Sequence, residues 1–86
     1  MSNDLITVTI KLFAIYQEVY GVNELMWDFP HGTSVQAVCD RLINEYPQLS
    51  PWRDLTRFGI NLQFVSPQTI LQNHDEVVLI PPVSGG

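Results

Sequence analysis

Near its C-terminal end the chain reads "DEVVLIPPVSGG" (Asp75–Gly86), and the stretch Glu76–Ile80 within it constrains the fold more than any other. Val77, Val78, Leu79 and Ile80 are apolar in succession, so a strand built from them is apolar on both faces. Such a strand is expected at the centre of a sheet and covered on both sides. Pro81 and Pro82 cannot donate ladder hydrogen bonds, which predicts that the sheet stops near Ile80. Past them the chain has no apolar anchor beyond Val83 and narrows through Ser84 to Gly85 and Gly86. A tail projecting from a central strand and tapering to two residues without side chains can enter a tight tunnel, because only glycine lets a backbone approach that closely.

The remaining elements supply a sheet for this strand. "LITVTIKLF" (Leu5–Phe13) alternates, with Ile6, Val8, Ile10 and Leu12 on one face and Thr7, Thr9, Lys11 and Phe13 on the other. "ELMWDF" (Glu24–Phe29) puts Leu25, Trp27 and Phe29 together, and Gly21 and Asn23 give turn chemistry between the two runs. "AIYQEVYG" in that connection fits a short helical turn ending at Gly21. One longer helix follows: Thr33 is the expected N-cap, Gln36 completes a capping box, and Val35, Val38, Cys39, Leu42, Ile43 and Tyr46 form a single apolar stripe. Tyr46-Pro47 should stop it, since the residue before proline resists the α region. Ser50 and Pro51 suggest a short helical turn over "SPWRDL". "FGINLQFV" (Phe58–Val65) reads as one further alternating strand. The expected fold class is α+β: a β-grasp, ubiquitin-like mixed sheet of four to five strands in β-β-α-β-β order, with one main helix packed on one face. Residues 1–80 are expected to form the single domain and 81–86 an extended, flexible tail.

Eighty-six residues make one small domain with a single core and no room for a deep enclosed catalytic cavity. Nine acidic residues against four basic ones give a net charge of −5, which argues against nonspecific binding to nucleic acid or to an anionic membrane. Cys39 is the single cysteine, so no internal disulfide is possible and a cysteine-based zinc site is disfavoured. No run approaches the ~20 apolar residues that span a bilayer. A soluble, reducing, cytoplasmic setting is the simplest expectation.

A terminal glycine carboxylate is a poor electrophile while ionised. ATP can activate it as an acyl-adenylate, and a sulfur nucleophile can then displace AMP and leave a C-terminal thiocarboxylate. The chain would supply reach and docking while its partners supply catalysis. Terminal glycines are also what frayed ends look like, so Gly85-Gly86 alone is a weak signal. Its place directly after an expected central strand strengthens it.

On these residues the chain resembles a known family. "DEVVLIPPVSGG" is similar to the C-terminus of the MoaD branch of the MoaD/ThiS sulfur carriers, the small subunits of molybdopterin synthase. "LFAIYQEVYG" (Leu12–Gly21) resembles that family's first-strand end and following turn, with Phe13-Ala14, Glu18 and Gly21 in matching places. The resemblance covers nearly the whole chain. It implies that the Gly86 carboxylate is adenylated by a ubiquitin-activating-type (MoeB-like) adenylyltransferase and converted to a thiocarboxylate with a sulfurtransferase. It further implies that the tail, Pro81, Pro82, Val83, Ser84 and Gly85, enters the large (MoaE-like) subunit, where sulfur passes to precursor Z to build the dithiolene of molybdopterin. No cofactor is bound permanently on this view; ATP belongs to the activating enzyme. Family members often carry a basic residue near Gln17, absent here. The turn before the last strand is often Asp-Gly, replaced here by Asn73-His74, where Asn can take the left-handed conformation.

Other candidates read as structural. Cys39 sits on the apolar stripe and is expected to be buried and inert. His31 and His74 lie in turns without a second ligand at metal spacing. Asp75 and Glu76 are neighbours that point oppositely in a strand and make no acid–base pair. Phe13 and Ile80 fall opposite in parity to the core residues of their strands, which suggests a solvent-facing docking patch beside the tail. Phe64 joins them by resemblance, although its parity matches Ile60 and Leu62, so a bulge would be needed to turn it outward. A second apolar layer under Pro47–Arg57 is the competing account of these residues. Three readings compete with the molybdopterin one: a carrier for thiamine, cysteine or another sulfurated metabolite; a β-grasp interaction module whose tail does no chemistry; and a protein-conjugating modifier.

Overall fold

The alternation in the first run becomes β1 (Leu5–Leu12), with Ile6, Val8, Ile10 and Leu12 buried and the intervening residues toward solvent. The computed structural model containing it describes residues 4–82; Val83, Ser84, Gly85 and Gly86 lie outside the described residues. After β1 come a short helix α1 (Ile15–Tyr20), β2 (Glu24–Pro30), the main helix α2 (Val35–Glu45), a 3-10 segment (Pro47–Leu55), β3 (Arg57–Ile60), β4 (Gln63–Val65) and β5 (Glu76–Ile80). The five strands make one mixed sheet in the order β2-β1-β5-β3-β4, so β5 is central. β1 and β5 run parallel and the other neighbours antiparallel.

Helix α2 lays Val35, Val38, Cys39 and Leu42 on the sheet, where they meet Ile6, Val8, Ile10, Leu12, Phe58, Val77 and Leu79. The 3-10 segment packs beside α2 and inserts Leu49 into the same core. Both helical layers therefore cover one face of the sheet, and among the described residues no second apolar layer lies over the other. The expectation that β5 is covered on both sides fails for this reason: Val77 and Leu79 are buried, whereas Val78 and Ile80 are half-buried on the uncovered face.

Local chemistry departs from the sequence reading at four further places. The N-cap of α2 is Ser34, not Thr33, and no capping box forms. The Thr33 hydroxyl donates instead to the Pro30 carbonyl at 2.6 Å, and Gln36 Nε2 donates to Asp40 at 3.1 Å. The 3-10 segment starts at Pro47, so Pro51 lies inside it and Ser50 caps nothing. The left-handed residue before β5 is His74 (φ 70°), because Asn73 uses its Oδ1 to accept the Thr7 N–H at 2.8 Å. Finally, Phe58–Val65 is a hairpin and not one strand. Asn61 and Leu62 take φ of 49° and 73°, the paired positive values of a tight two-residue turn. By contrast, Gly21 ends α1 as expected, in the left-handed conformation with φ 74° and its N–H on Gln17 O at 2.8 Å.

Candidate functional site

The hairpin turn decides what the uncovered face presents. Gly59 pairs with Phe64 across the turn and with Val78 of β5, and Val78 pairs with Lys11 of β1. These side chains form one row across the sheet on the face away from α2. Phe64 thus faces outward without the bulge that parity required, because the two-residue turn resets the alternation. It is 74% exposed, and Phe13 is 49% exposed. Phe13, Phe64 and Ile80 line one shallow apolar depression of about 300 Å³ together with Leu62 and Val78, with Gly59 at its floor. The sequence reading missed Leu62, Val78 and Gly59. The signal for the first was Asn61, a turn former inside a run that otherwise alternates.

Leu62 is 90% exposed and sits at a left-handed φ, where a branched side chain is strained. Asn61 fixes that turn. Its Nδ2 donates to Asp75 Oδ1 at 3.0 Å and its Oδ1 accepts the Glu76 N–H at 3.0 Å. Asp75 Oδ2 in turn accepts the Gln72 N–H at 2.8 Å. Asp75 is buried as an anchor of two loops, and Glu76 faces the opposite way, toward Lys11 at 3.8 Å. They are not a catalytic pair.

The charged end of the outer face is built on Lys11, which donates to Glu24 at 2.5 Å. That hydrogen bond, with the Glu24 charge and then Glu76, holds the ammonium above its ordinary pKa. On the other side of the sheet the Tyr16 hydroxyl lies 2.5 Å from Thr56 Oγ1, which itself donates to Trp52 O at 2.7 Å. Tyr16 is therefore the donor in the first bond. Burial pushes the Tyr16 hydroxyl above its ordinary value, and burial likewise raises the thiol of Cys39, 3.7 Å from Tyr16 Oη. Cys39 is buried as expected, and His31 and His74 are exposed turn residues. Among the described residues no three His, Cys, Asp or Glu side chains are grouped to hold a metal, and no helix is long and apolar enough to cross a membrane.

Strand β5 ends at Ile80 on the rim of the depression. Pro81 is buried and Pro82 exposed, so the chain leaves the sheet directly beside the exposed apolar face. The tail residues Val83, Ser84, Gly85 and Gly86 fall outside the described residues.

A mixed five-stranded sheet with parallel first and last strands and one main helix across it defines a β-grasp, ubiquitin-like domain. More narrowly, the chain belongs to the ThiS family, whose profile matches residues 10–86. It is 36% identical to a molybdopterin synthase sulfur carrier subunit of Arabidopsis thaliana, over 99% of this chain and 91% of that protein. Among solved structures it is similar to SAMP1 from Haloferax volcanii, a small archaeal modifier protein (TM-score 0.77, 28% identity, 93% of this chain and 99% of that one). It also has the fold of a chain in the complex of subunits 1 and 2 of molybdopterin-converting factor from Helicobacter pylori (TM-score 0.59, 20% identity, 94% of this chain and 100% of that one).

Proposed function

We propose that this protein is the sulfur carrier subunit of a molybdopterin synthase. The observation that carries the reading is the family match running through Gly86, joined to a relative of that name 36% identical over nearly the whole chain. In the proposed cycle the Gly86 carboxylate attacks the α-phosphorus of ATP on a ubiquitin-activating-type enzyme, releasing pyrophosphate and leaving an acyl-adenylate. A persulfide charged by a sulfurtransferase displaces AMP to give an acyl disulfide. A second thiol cleaves its S–S bond by forming a disulfide with the donor sulfur, and the thiocarboxylate so released carries one sulfur atom to precursor Z in the large subunit. This chain contributes two things: a rigid β5 that launches the tail, and the exposed apolar face that docks first on the activator and then on the large subunit. Apolar patches of this kind mark interaction surfaces in small soluble domains. A cytoplasmic setting belongs to the same proposal.

The test is intact mass after incubation with ATP, an activating enzyme of this family and a sulfur donor. The expected gain equals replacement of one oxygen by sulfur and is absent when Gly86 is deleted. An unchanged mass, with the same activator shown competent on another carrier, overturns the reading. The likeness to SAMP1 favours one second reading, a protein modifier joined through the same carboxylate. Isopeptide-linked adducts in cell extracts, lost on deletion of Gly86, would decide for it.

A further inference from the structure

Only four residues in the chain are basic. Three are engaged: Lys11 by Glu24 and Glu76, Arg53 by Asp40 at 2.8 Å and Asp54 at 2.9 Å, and Arg41 by the Trp27 ring, with its Cζ 4.0 Å from the ring centroid. Arg57 is exposed, and among the described residues no carboxylate pairs with it and no aromatic face covers it. Its position in the fold is specific. Arg57 pairs with Ile80, the last rung of the β3–β5 ladder, so it stands on the outer face level with the point where the tail leaves. Phe64 lies between two depressions, one apolar with Phe13, Leu62, Val78 and Ile80, the other bordered by Arg57. The opposite rim carries Glu24, Lys11 and Glu76, two carboxylates against one ammonium. The docking face therefore has an apolar centre, a net negative flank and a single uncommitted guanidinium beside the tail.

We propose that Arg57 is the polar anchor of this face and takes a carboxylate on the surface of the protein that receives the tail. The partner chemistry that fits is an apolar side chain for the depression, an acidic residue opposite Arg57, and a basic one toward Glu76. Arginine suits the role because its planar fork binds a carboxylate through two parallel hydrogen bonds, which fixes direction as well as position. Since Arg57 and Ile80 share the last rung, this contact sets the angle at which the tail enters the partner. The inference rests on the proposed function and adds to it a residue that determines the orientation of docking.

The experiment measures the affinity of the full-length chain for the large subunit of molybdopterin synthase from the same organism, at low and high salt, for wild type, Arg57→Lys, Arg57→Ala, Arg57→Glu and Phe64→Ala. Arg57→Ala is expected to weaken binding about fivefold and to flatten its salt dependence, as removal of one ion pair does. Arg57→Glu, which sets like charges together, should weaken it about 100-fold at low salt. Arg57→Lys retains most of the affinity, and Phe64→Ala weakens binding without changing the salt slope. Arg57 variants that bind like wild type while Phe64→Ala does not, or that weaken with the wild-type salt slope, overturn the role of Arg57 alone. Wild type that does not bind the large subunit overturns the functional reading and this inference with it.

Discussion

Replacing Leu62 with glycine is expected to make the protein more stable and a poorer partner. Leu62 is held at φ 73°, a conformation that costs an L-residue with a side chain roughly 1–2 kcal/mol. Because the side chain is 90% exposed, its removal forfeits almost no folded-state packing. Against the relief of strain stands the extra freedom of glycine in the unfolded chain, about 0.5–1 kcal/mol. The net gain is about 0.5–1 kcal/mol, and Asn-Gly is the preferred pair for this kind of turn. For a domain of this size that corresponds to a rise of about 3–6 °C in Tm, read by calorimetry or circular dichroism. Leu62→Ala serves as the control, since it removes the side chain and keeps the strain, so its Tm should stay near that of wild type. Affinity for the large subunit should fall about tenfold in both variants, the scale expected when one buried aliphatic anchor is lost from an interface. A lower Tm for Leu62→Gly, or equal Tm changes for the glycine and alanine variants, would show that backbone strain is not stored at this turn. Undiminished affinity would remove Leu62 from the docking face.

The polar anchors are open to the same treatment. Asp75→Ala strips partners from Asn61 Nδ2 and the Gln72 N–H and should lower stability by about 1–3 kcal/mol in urea denaturation, with no change in the mass-gain assay. Tyr16→Phe removes the donor to Thr56, which still donates to Trp52, so the loss should be about 1 kcal/mol. The pH dependence follows from the buried groups: Cys39 and Tyr16 both have folded pKa values raised by burial from ordinary values of 9.0 and 10.0. Their contribution is complete below the unfolded pKa and is lost as pH rises through the folded one, so stability should decline from about pH 9 upward. Cys39→Ala should delay the onset of that decline. In native protein the Cys39 thiol should react with a disulfide reagent only as fast as the domain opens, which hydrogen exchange can measure independently.

Much of the fold is legible in the sequence because its signals are local. Alternation over Leu5–Phe13 and Glu24–Phe29, the apolar stripe from Val35 to Tyr46 and the proline stops at Pro47 and Pro81 each follow from backbone periodicity and the missing proline donor. They place one helix against a sheet with Glu76–Ile80 at its centre. The sequence also singles out Phe13 and Ile80 by parity alone. Capping is less legible. Thr33, Ser34, Asn73 and His74 can all take several local hydrogen bonds, and which one each forms depends on where Pro30 and Thr7 lie in space.

The periodic pattern, the chain breaks and the Gly-Gly end are properties of consecutive residues, and these the sequence determined unaided. The tertiary structure decided which face of the sheet stays bare, since only the shared packing of α2 and the 3-10 segment on one side leaves Val78 and Ile80 uncovered. It also decided the fate of Phe64. Alternation across Phe58–Val65 reads the same for a strand as for two strands out of phase, and the hydrogen bonds that the Asn61 side chain donates to Asp75 and accepts from Glu76 select the turn. Those bonds join residues 14 and 15 positions apart, a separation at which no local pattern carries information.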